Sequence, residues 1–159
     1  EIPLDDPELV DLIRRALSDA GFGITEHHSR GIRIEGAGVG FDDHTVDVDI
    51  EPFDIDGVRV VKLSSVLRSE PGPYDRALLA CARGNGACAV PKFNIIEELD
   101  RDEPSRFRIR ASLTLYADHL NEDELTRMTW LFLKQTDGID NELATILIRE
   151  QDRDQAPVE

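Results

Sequence analysis

Cysteine, tryptophan, methionine and lysine are all scarce in this chain of 159 residues. Its two cysteines, Cys81 and Cys88, are too few for a disulfide framework, and their spacing fits neither a Cys-x-x-Cys motif nor a zinc pairing. Two core thiols are the favoured interpretation, with a facultative disulfide as the alternative. The sequence also lacks an apolar run long enough for a membrane span and lacks a signal-peptide pattern. We therefore expect a cytoplasmic protein with reduced thiols and no membrane contact.

Positive charge is the other shortage. The chain has 33 acidic against 18 basic residues, a net charge of −15. This balance argues against a nucleic-acid ligand, because neutralising phosphates requires clustered lysine and arginine. The nearest approach to a cluster is Arg106, Arg108 and Arg110, which we interpret as a sheet face paired with the acidic residues just upstream. An excess of acid instead suits solubility, a basic partner or a salt-rich cell.

The hydrophobic fraction of 40%, arranged with clear periodicity, predicts a folded domain despite the charge. A chain of this length can bury a core of its own. We expect a single domain over residues 1–150 and a flexible polar tail over residues 151–159.

Two short helices are expected ahead of the closing one. Asp5-Asp6-Pro7-Glu8 has an acidic cap and a proline in the first turn, followed by apolar residues at helical spacing up to Gly21. The second helix runs from Tyr74 to Arg83 and ends at Gly84-Asn85-Gly86. Its inward residues are predicted to be Ala77, Leu78, Cys81 and Ala82.

Residues with a period of two predict strands between these helices and after the second one. The segments are Ile24–Glu35, a hairpin centred on Asp56-Gly57, Val90–Ile96 and Arg106–Ala117. The sequence therefore predicts an α+β fold. We expect an antiparallel sheet of about five strands with helices packed on one face, in the order helix, three strands, helix, two strands, helix.

The hairpin allows the sharpest local prediction. Asp56-Gly57, flanked by alternating residues, is the strongest short signal for a two-residue turn. With that turn, Ile50 lies opposite Leu63 on an apolar face. Glu51 then lies opposite Lys62 on a polar face, as a half-buried sheet requires.

The closing helix begins at an Asn-x-x-Glu capping box formed by Asn121 and Glu124. One stripe of apolar residues follows if the helix continues through Gly138, at a penalty of only about 1 kcal/mol relative to alanine. The stripe consists of Leu125, Met128, Phe132, Ile139, Leu143 and Ile146.

The back of the closing helix is also apolar. Trp130 and Ile148 lie nearly opposite the stripe, and Leu133 lies on its flank, on their side. Exposing such side chains forgoes roughly 1.5–3 kcal/mol each. These three residues are the candidate interface with a partner protein or a second copy. Scattered surface exposure, or cover from the first helix, is the alternative.

Residues of the kind that carry chemistry do not converge. His27 and His28 are adjacent on a strand and point to opposite faces, and Asp42-Asp43-His44 lacks a second histidine at ligand spacing. The calcium-like Asp54-x-Asp56-Gly57 lacks its closing glutamate, because Ser65 occupies that position. We expect no catalytic residue, no cofactor and no metal site, and hence no enzyme.

The order of the elements resembles the YbjN family, whose fold is similar to that of the class I type III secretion chaperones. The resemblance covers Leu9 to Ile148. It rests on the helix ending near Asn85, the strand at Lys92-Phe93, the strand alternating arginine and leucine, and the long helix through Trp130 and Asp140. It implies a dimeric α+β domain that binds other proteins, often as extended segments, and some members are linked to regulation.

The leading hypothesis is accordingly a chaperone-like or regulatory module that binds a protein partner, possesses no enzymatic activity and forms a homodimer. A basic or amphipathic segment would be attracted by the acidic surface and held by apolar patches. One alternative is an acidic mimic of nucleic acid, with Asp47, Asp49 and Glu51 as a row of charges. The other is an unrecognised enzyme.

Overall fold

The computed structural model describes residues 4–36, 40, 44–52, 58–98 and 106–154, with the backbone alone at 98, 106 and 146–154. The α+β class and the order helix, strands, helix, strands, helix are confirmed. The elements in these described ranges are α1 (Asp6–Asp19), β1 (Gly23–His28), β2 (Gly31–Glu35), β3 (Thr45–Pro52), β4 (Arg59–Val66), α2 (Tyr74–Ala87), β5 (Lys92–Glu98), β6 (Arg106–Tyr116) and α3 (Glu122–Asp154).

The strands in the described ranges form one antiparallel sheet of six, in the order β1-β2-β3-β4-β6-β5. This is one strand more than the sequence indicated, because Ile24–Glu35 is a hairpin. Strand β1 turns back at Ser29 and Arg30, and His28 then lies opposite Gly31. The turn residues lack the Asn-Gly or Asp-Gly signal of a two-residue hairpin, and only Gly31, directly after them, marks the turn in the sequence.

The β3–β4 hairpin is present, but its predicted register was wrong by two positions. Ile50 lies opposite Val61, and the last pair of the ladder is Pro52 with Arg59. This register does not agree with a two-residue turn at Asp56-Gly57, a segment that lies outside the described residues. Because side chains alternate, a shift of two leaves each residue on its predicted face.

Helix α1 has the predicted start and end. The Asp5 carboxylate accepts a hydrogen bond from the Glu8 backbone N–H at 2.9 Å. Gly21 adopts a φ of 99° just beyond the helix, where a residue with a side chain would be strained. The helix packs against β1 and β2. Its buried residues are Leu9, Val10, Ile13, Ala16 and Leu17.

Helix α2 does not end at the Gly-Asn-Gly segment, as the sequence suggested, but continues through it to Ala87. Gly84 faces the sheet, and a Cβ at this position would lie 2.6 Å from Cδ2 of Phe93 on β5. The Asn85 amide accepts from the Phe93 N–H at 2.7 Å and donates to the Phe93 carbonyl at 3.1 Å. These residues therefore join the helix to β5 rather than end it.

Helix α3 is continuous past Gly138, and the predicted apolar stripe is buried at Leu125, Phe132, Ile139 and Leu143. The Asn121 side chain caps it, accepting from the backbone N–H of Asp123 and Glu124. The helix extends to Asp154, into the segment predicted to be a tail, where glutamine and arginine favour helix. No helix in the described ranges is long and apolar enough to span a membrane.

The chain divides into two compact units. The first comprises Glu1–Ser65 and Ser112–Lys134, and the second comprises Val66–Ala111 and Gln135–Glu159.

The glycines of α2 allow a matched test of the packing against β5. Gly84→Ala should lower the free energy of unfolding by about 1 kcal/mol or more, because overpacking against Phe93 outweighs the better helix propensity of alanine. Gly86→Ala should raise it by up to about 1 kcal/mol, since a Cβ there meets nothing within 4 Å. Urea unfolding measures both, and equal stability of the two variants would contradict the close packing.

Candidate protein-binding surfaces

The structure separates the three residues predicted to form a partner interface. Trp130 is 40% exposed on α3. Leu133 has no exposed surface and belongs to the core, so its assignment to a partner surface is corrected. At 100° per residue Leu133 lies on the flank of the apolar stripe, and that flank is the side buried here. Ile148 lies on α3, but its side chain is outside the described residues.

Trp130 lies between two exposed cations on the same side of α3. Arg127 precedes it by three residues and Lys134 follows it by four, positions that neighbour it on a helix surface. The Lys134 Nζ lies 4.9 Å from the centroid of the indole ring. This is a cation–π contact, which keeps one face of the ring beside a positive charge.

Helix α2 exposes its large apolar residues and buries its small ones. The buried residues are Ala77, Ala80, Cys81 and Gly84. Leu78 is 52% exposed and Leu79 is 71% exposed, contrary to the inward position predicted for Leu78. Ala82, also predicted to face inward, is exposed as well. The outward apolar surface of this helix was therefore missed.

A signal for this surface does exist in the sequence. The small residues at positions 77, 80, 81 and 84 themselves have the spacing of a buried helical stripe, and Leu78 and Leu79 both fall outside it. Tyr74 begins the outward surface and packs edge to face on Phe107, with the ring centroids 5.3 Å apart. Half of the Tyr74 surface stays exposed.

The acidic row proposed as a mimic of nucleic acid lies on β3, but its charges are partly occupied. The Asp47 carboxylate accepts a hydrogen bond from Arg33 Nε at 2.7 Å. Asp49 lies 3.5 Å from His28 Nε2 and opposite Lys62, the partner that the sequence had assigned to Glu51. Burial and the neighbouring Asp47 raise the pKa of Asp49. Partly compensated charges are a poor match for the uniform charge of a phosphate backbone.

Asp140 is the most deeply buried charged residue among those described, with 1% of its surface exposed. Its carboxylate accepts four hydrogen bonds from the segment that follows β4. Oδ2 accepts from the Arg68 N–H at 2.9 Å and from Arg68 Nε at 3.3 Å. Oδ1 accepts from the Ser69 N–H at 2.9 Å and from Ser69 Oγ at 2.6 Å.

This network also sets the ionisation of Asp140. Burial by itself raises the pKa of the carboxyl group. Hydrogen bonds from the Ser69 hydroxyl and from the backbone N–H groups of Arg68 and Ser69 outweigh burial and hold the pKa below its ordinary value. Asp140 therefore anchors the connection between β4 and α2 as a carboxylate.

The two cysteines lie along one helix and its C-terminal cap. Cys81 is buried on α2, and Cys88 caps the end of that helix. Seven residues of α-helix rise by about 10 Å, which exceeds the Cα separation that a disulfide spans. The facultative disulfide is therefore excluded while α2 is intact. Burial raises the pKa of both thiols. In the described part of the chain, no three His, Cys, Asp or Glu side chains group as metal ligands.

Comparison with known protein families and with curated proteins finds no match for this chain. A solved structure is similar: that of YbjN from E. coli, described as a proposed transcription regulator. It has a TM-score of 0.53 and 16% sequence identity, over 86% of this chain and 92% of that chain. The fold is YbjN-like.

The likeness to YbjN covers 86% of this chain. At 16% identity the likeness extends to the fold alone. The surfaces built from Leu78, Leu79 and Trp130 are consequently properties of this sequence, and their role has to be argued from their own chemistry.

Asp140→Asn should destabilise the protein by about 2–4 kcal/mol at neutral pH, because the amide can accept fewer of the hydrogen bonds given to the carboxylate. A lowered folded-state pKa means that this stabilisation is complete above about pH 4, the ordinary range of the group. It is lost as pH falls through the folded-state pKa. Urea unfolding of the wild type and of Asp140→Asn, from pH 7 to pH 3, measures this. The difference between their free energies of unfolding should decrease only at acid pH.

The matched control is Asp19→Asn, which neutralises an exposed carboxylate at the end of α1. This substitution should change the free energy of unfolding by no more than about 0.5 kcal/mol at every pH. If the difference in free energy of unfolding between the wild type and Asp140→Asn does not change with pH, the stabilising role assigned to the Asp140 carboxylate is contradicted.

Proposed function

We propose that this chain is a non-enzymatic protein-binding module, chaperone-like or regulatory, that contacts its partner through the outward face of α2. The observation that carries the proposal is that α2 exposes its large apolar residues and buries small ones. Leu79, at 71% exposure, faces away from the sheet, while alanine, cysteine and glycine face toward it. Covering a leucine of this kind stabilises a complex by roughly 1.5–3 kcal/mol.

The outward face of α2 is shaped to accept a second helix. Ala82 and Gly86 follow the two leucines on the exposed side, and the space where a Gly86 Cβ would lie is open. Small residues beside larger ones form a groove into which the ridge of another helix can fit. The interaxial distance can then be short, so that Leu78 and Leu79 contact the partner on either side of the groove.

A second copy of this chain is the first candidate partner. Two molecules that each carry a net charge of −15 repel one another, so they can associate only where carboxylates are sparse. From Arg76 to Ile96 the sequence contains no aspartate or glutamate. The face of α2 lies in this segment and combines low negative charge with exposed apolar area, which favours a homodimer.

The same acidic charge favours a basic or amphipathic segment as a further protein partner in the cytoplasm, since long-range attraction speeds association. YbjN, whose fold is similar, is described as a proposed transcription regulator. A regulator that works through protein contacts agrees with the present proposal. Nothing in the proposal requires this chain itself to bind nucleic acid.

Leu79→Glu tests the α2 contact. Burying a charge in an apolar contact that occurs twice in a dimer should weaken self-association at least about 100-fold. Size-exclusion chromatography with light scattering, over a range of concentrations, should show a dimeric wild type and a monomeric variant. Tyr116→Glu is the matched control, because Tyr116 is 75% exposed and lies on β6; it should remain dimeric.

Trp130→Glu belongs in the same series, because Trp130 was predicted as an interface residue from sequence. Loss of the dimer in that variant, but not in Leu79→Glu, would move the contact to α3. A wild type that stays monomeric and also retains no protein from native lysate at gentle salt concentrations would contradict the protein-binding function itself.

A further inference from the structure

The charged residues closest to Trp130 along α3 are two cations, although the protein as a whole is acidic. Arg127, Trp130 and Lys134 share the outward side of α3, and this basic aromatic patch is defined by these three residues. From Leu125 to Lys134 the sequence has no aspartate or glutamate, although acids outnumber bases in the chain by 33 to 18. The only charges along these ten residues are the two cations on either side of the indole.

Other arginines of the first unit form ion pairs with carboxylates, whereas Arg127 does not within the described residues. Arg33 pairs with Glu26 and Asp47, and Arg59 pairs with Asp6 and Asp118. Arg127 makes no ion pair with the part of the chain that the structure describes. Lys134 lies over the Trp130 ring at 4.9 Å. Asp123 and Glu124, in the turn before Arg127, are the nearest carboxylates of the same unit along the helix, and neither forms an ion pair with Arg127.

Local charge outweighs net charge at such a surface. The Debye length at physiological ionic strength is about 8 Å, so carboxylates farther away are largely screened. Arg127 and Lys134 each lie within about one helical turn of Trp130, a rise of about 5–6 Å. A group in contact with the indole consequently experiences the two cations more strongly than the acids elsewhere.

We propose that the basic aromatic patch binds an acidic amphipathic segment of a partner protein. An apolar side chain of that segment covers the indole, and carboxylates on either side of it pair with Arg127 and Lys134. Tryptophan and arginine are the residues that most often dominate binding energy in protein interfaces. This inference rests on the proposed protein-binding function and deepens it, since it assigns a partner whose charge is the reverse of that suggested by net charge.

A nucleic acid is the other anionic ligand that a tryptophan between two cations could hold. Two cations neutralise few phosphates, and the net charge of −15 repels a long polyanion over its whole length. A short acidic segment of protein carries its charges only where the patch can meet them. The patch therefore fits an acidic peptide better, and nucleic acid is one of the alternatives that the experiment examines.

Trp130 is the only tryptophan of the chain, so its fluorescence reports on this patch alone. The probe is a peptide of about fifteen residues, made of glutamate and leucine at helical spacing and free of tryptophan and tyrosine. The comparison peptide replaces each glutamate by lysine. The acidic peptide should shift the Trp130 emission to shorter wavelength and reach saturation, and the basic peptide should leave the emission unchanged.

Two variants with equal change in net charge provide the control. Lys134→Glu should weaken binding of the acidic peptide about five- to tenfold, because it replaces an attraction by a repulsion. Lys92→Glu makes the same exchange at an exposed lysine on β5 and should leave the affinity as it is. The affinity of Lys134→Gln shows whether the loss of binding results from the change in charge. Far-UV circular dichroism of each variant shows whether it results from a folding defect.

Several outcomes would overturn the inference. These are an emission shift with the basic peptide alone, a shift with a single-stranded oligonucleotide but not with the acidic peptide, equal weakening by both lysine variants, or no shift at all. Fluorescence anisotropy of labelled peptides distinguishes a failure of the inference about the basic aromatic patch from a failure of the proposed protein-binding function. If a labelled peptide binds while the Trp130 emission stays constant, the protein-binding function stands and the site lies elsewhere.

Discussion

The close approach of α2 to β5 is the constraint on which the proposed binding function depends. Gly84 lies against the ring of Phe93 with no room for a Cβ, and the Asn85 amide pairs with the backbone of the same residue. A helix held this near a strand can place only small residues inward. The larger apolar residues of α2, Leu78 and Leu79, are then left on the outside, where a partner can cover them.

Local patterns in the sequence predicted the elements well, because their causes are local. The Asp5 cap, the positive φ at Gly21 and the cap at Asn121 each depend on a few neighbouring residues. The α3 stripe was predicted for the same reason, since helical periodicity is a property of a single segment. The α+β class followed from the order of these segments.

The errors share a different cause, because each depends on a residue distant in sequence. Gly84-Asn85-Gly86 was read as a helix end, since its partner Phe93 cannot be seen from the segment itself. Leu133 was predicted on a partner surface because a helical wheel defines a flank but does not say which flank is buried in the fold. The hairpin register was derived from one dipeptide, Asp56-Gly57, whereas the pairing of two strands depends on contacts along their whole length.

The fold does not determine the function, because function depends on side chains that the backbone does not specify. A YbjN-like backbone at 16% identity fixes where helices lie, but not which side chains they expose. Here the exposed positions have two different chemistries: apolar and free of carboxylates at Leu78 and Leu79, aromatic and cationic at Trp130 and Lys134. Net charge alone would assign both surfaces to a basic ligand. Because the cations are placed beside the exposed indole, the arrangement of charge, rather than its sum, determines which partner each surface can accept.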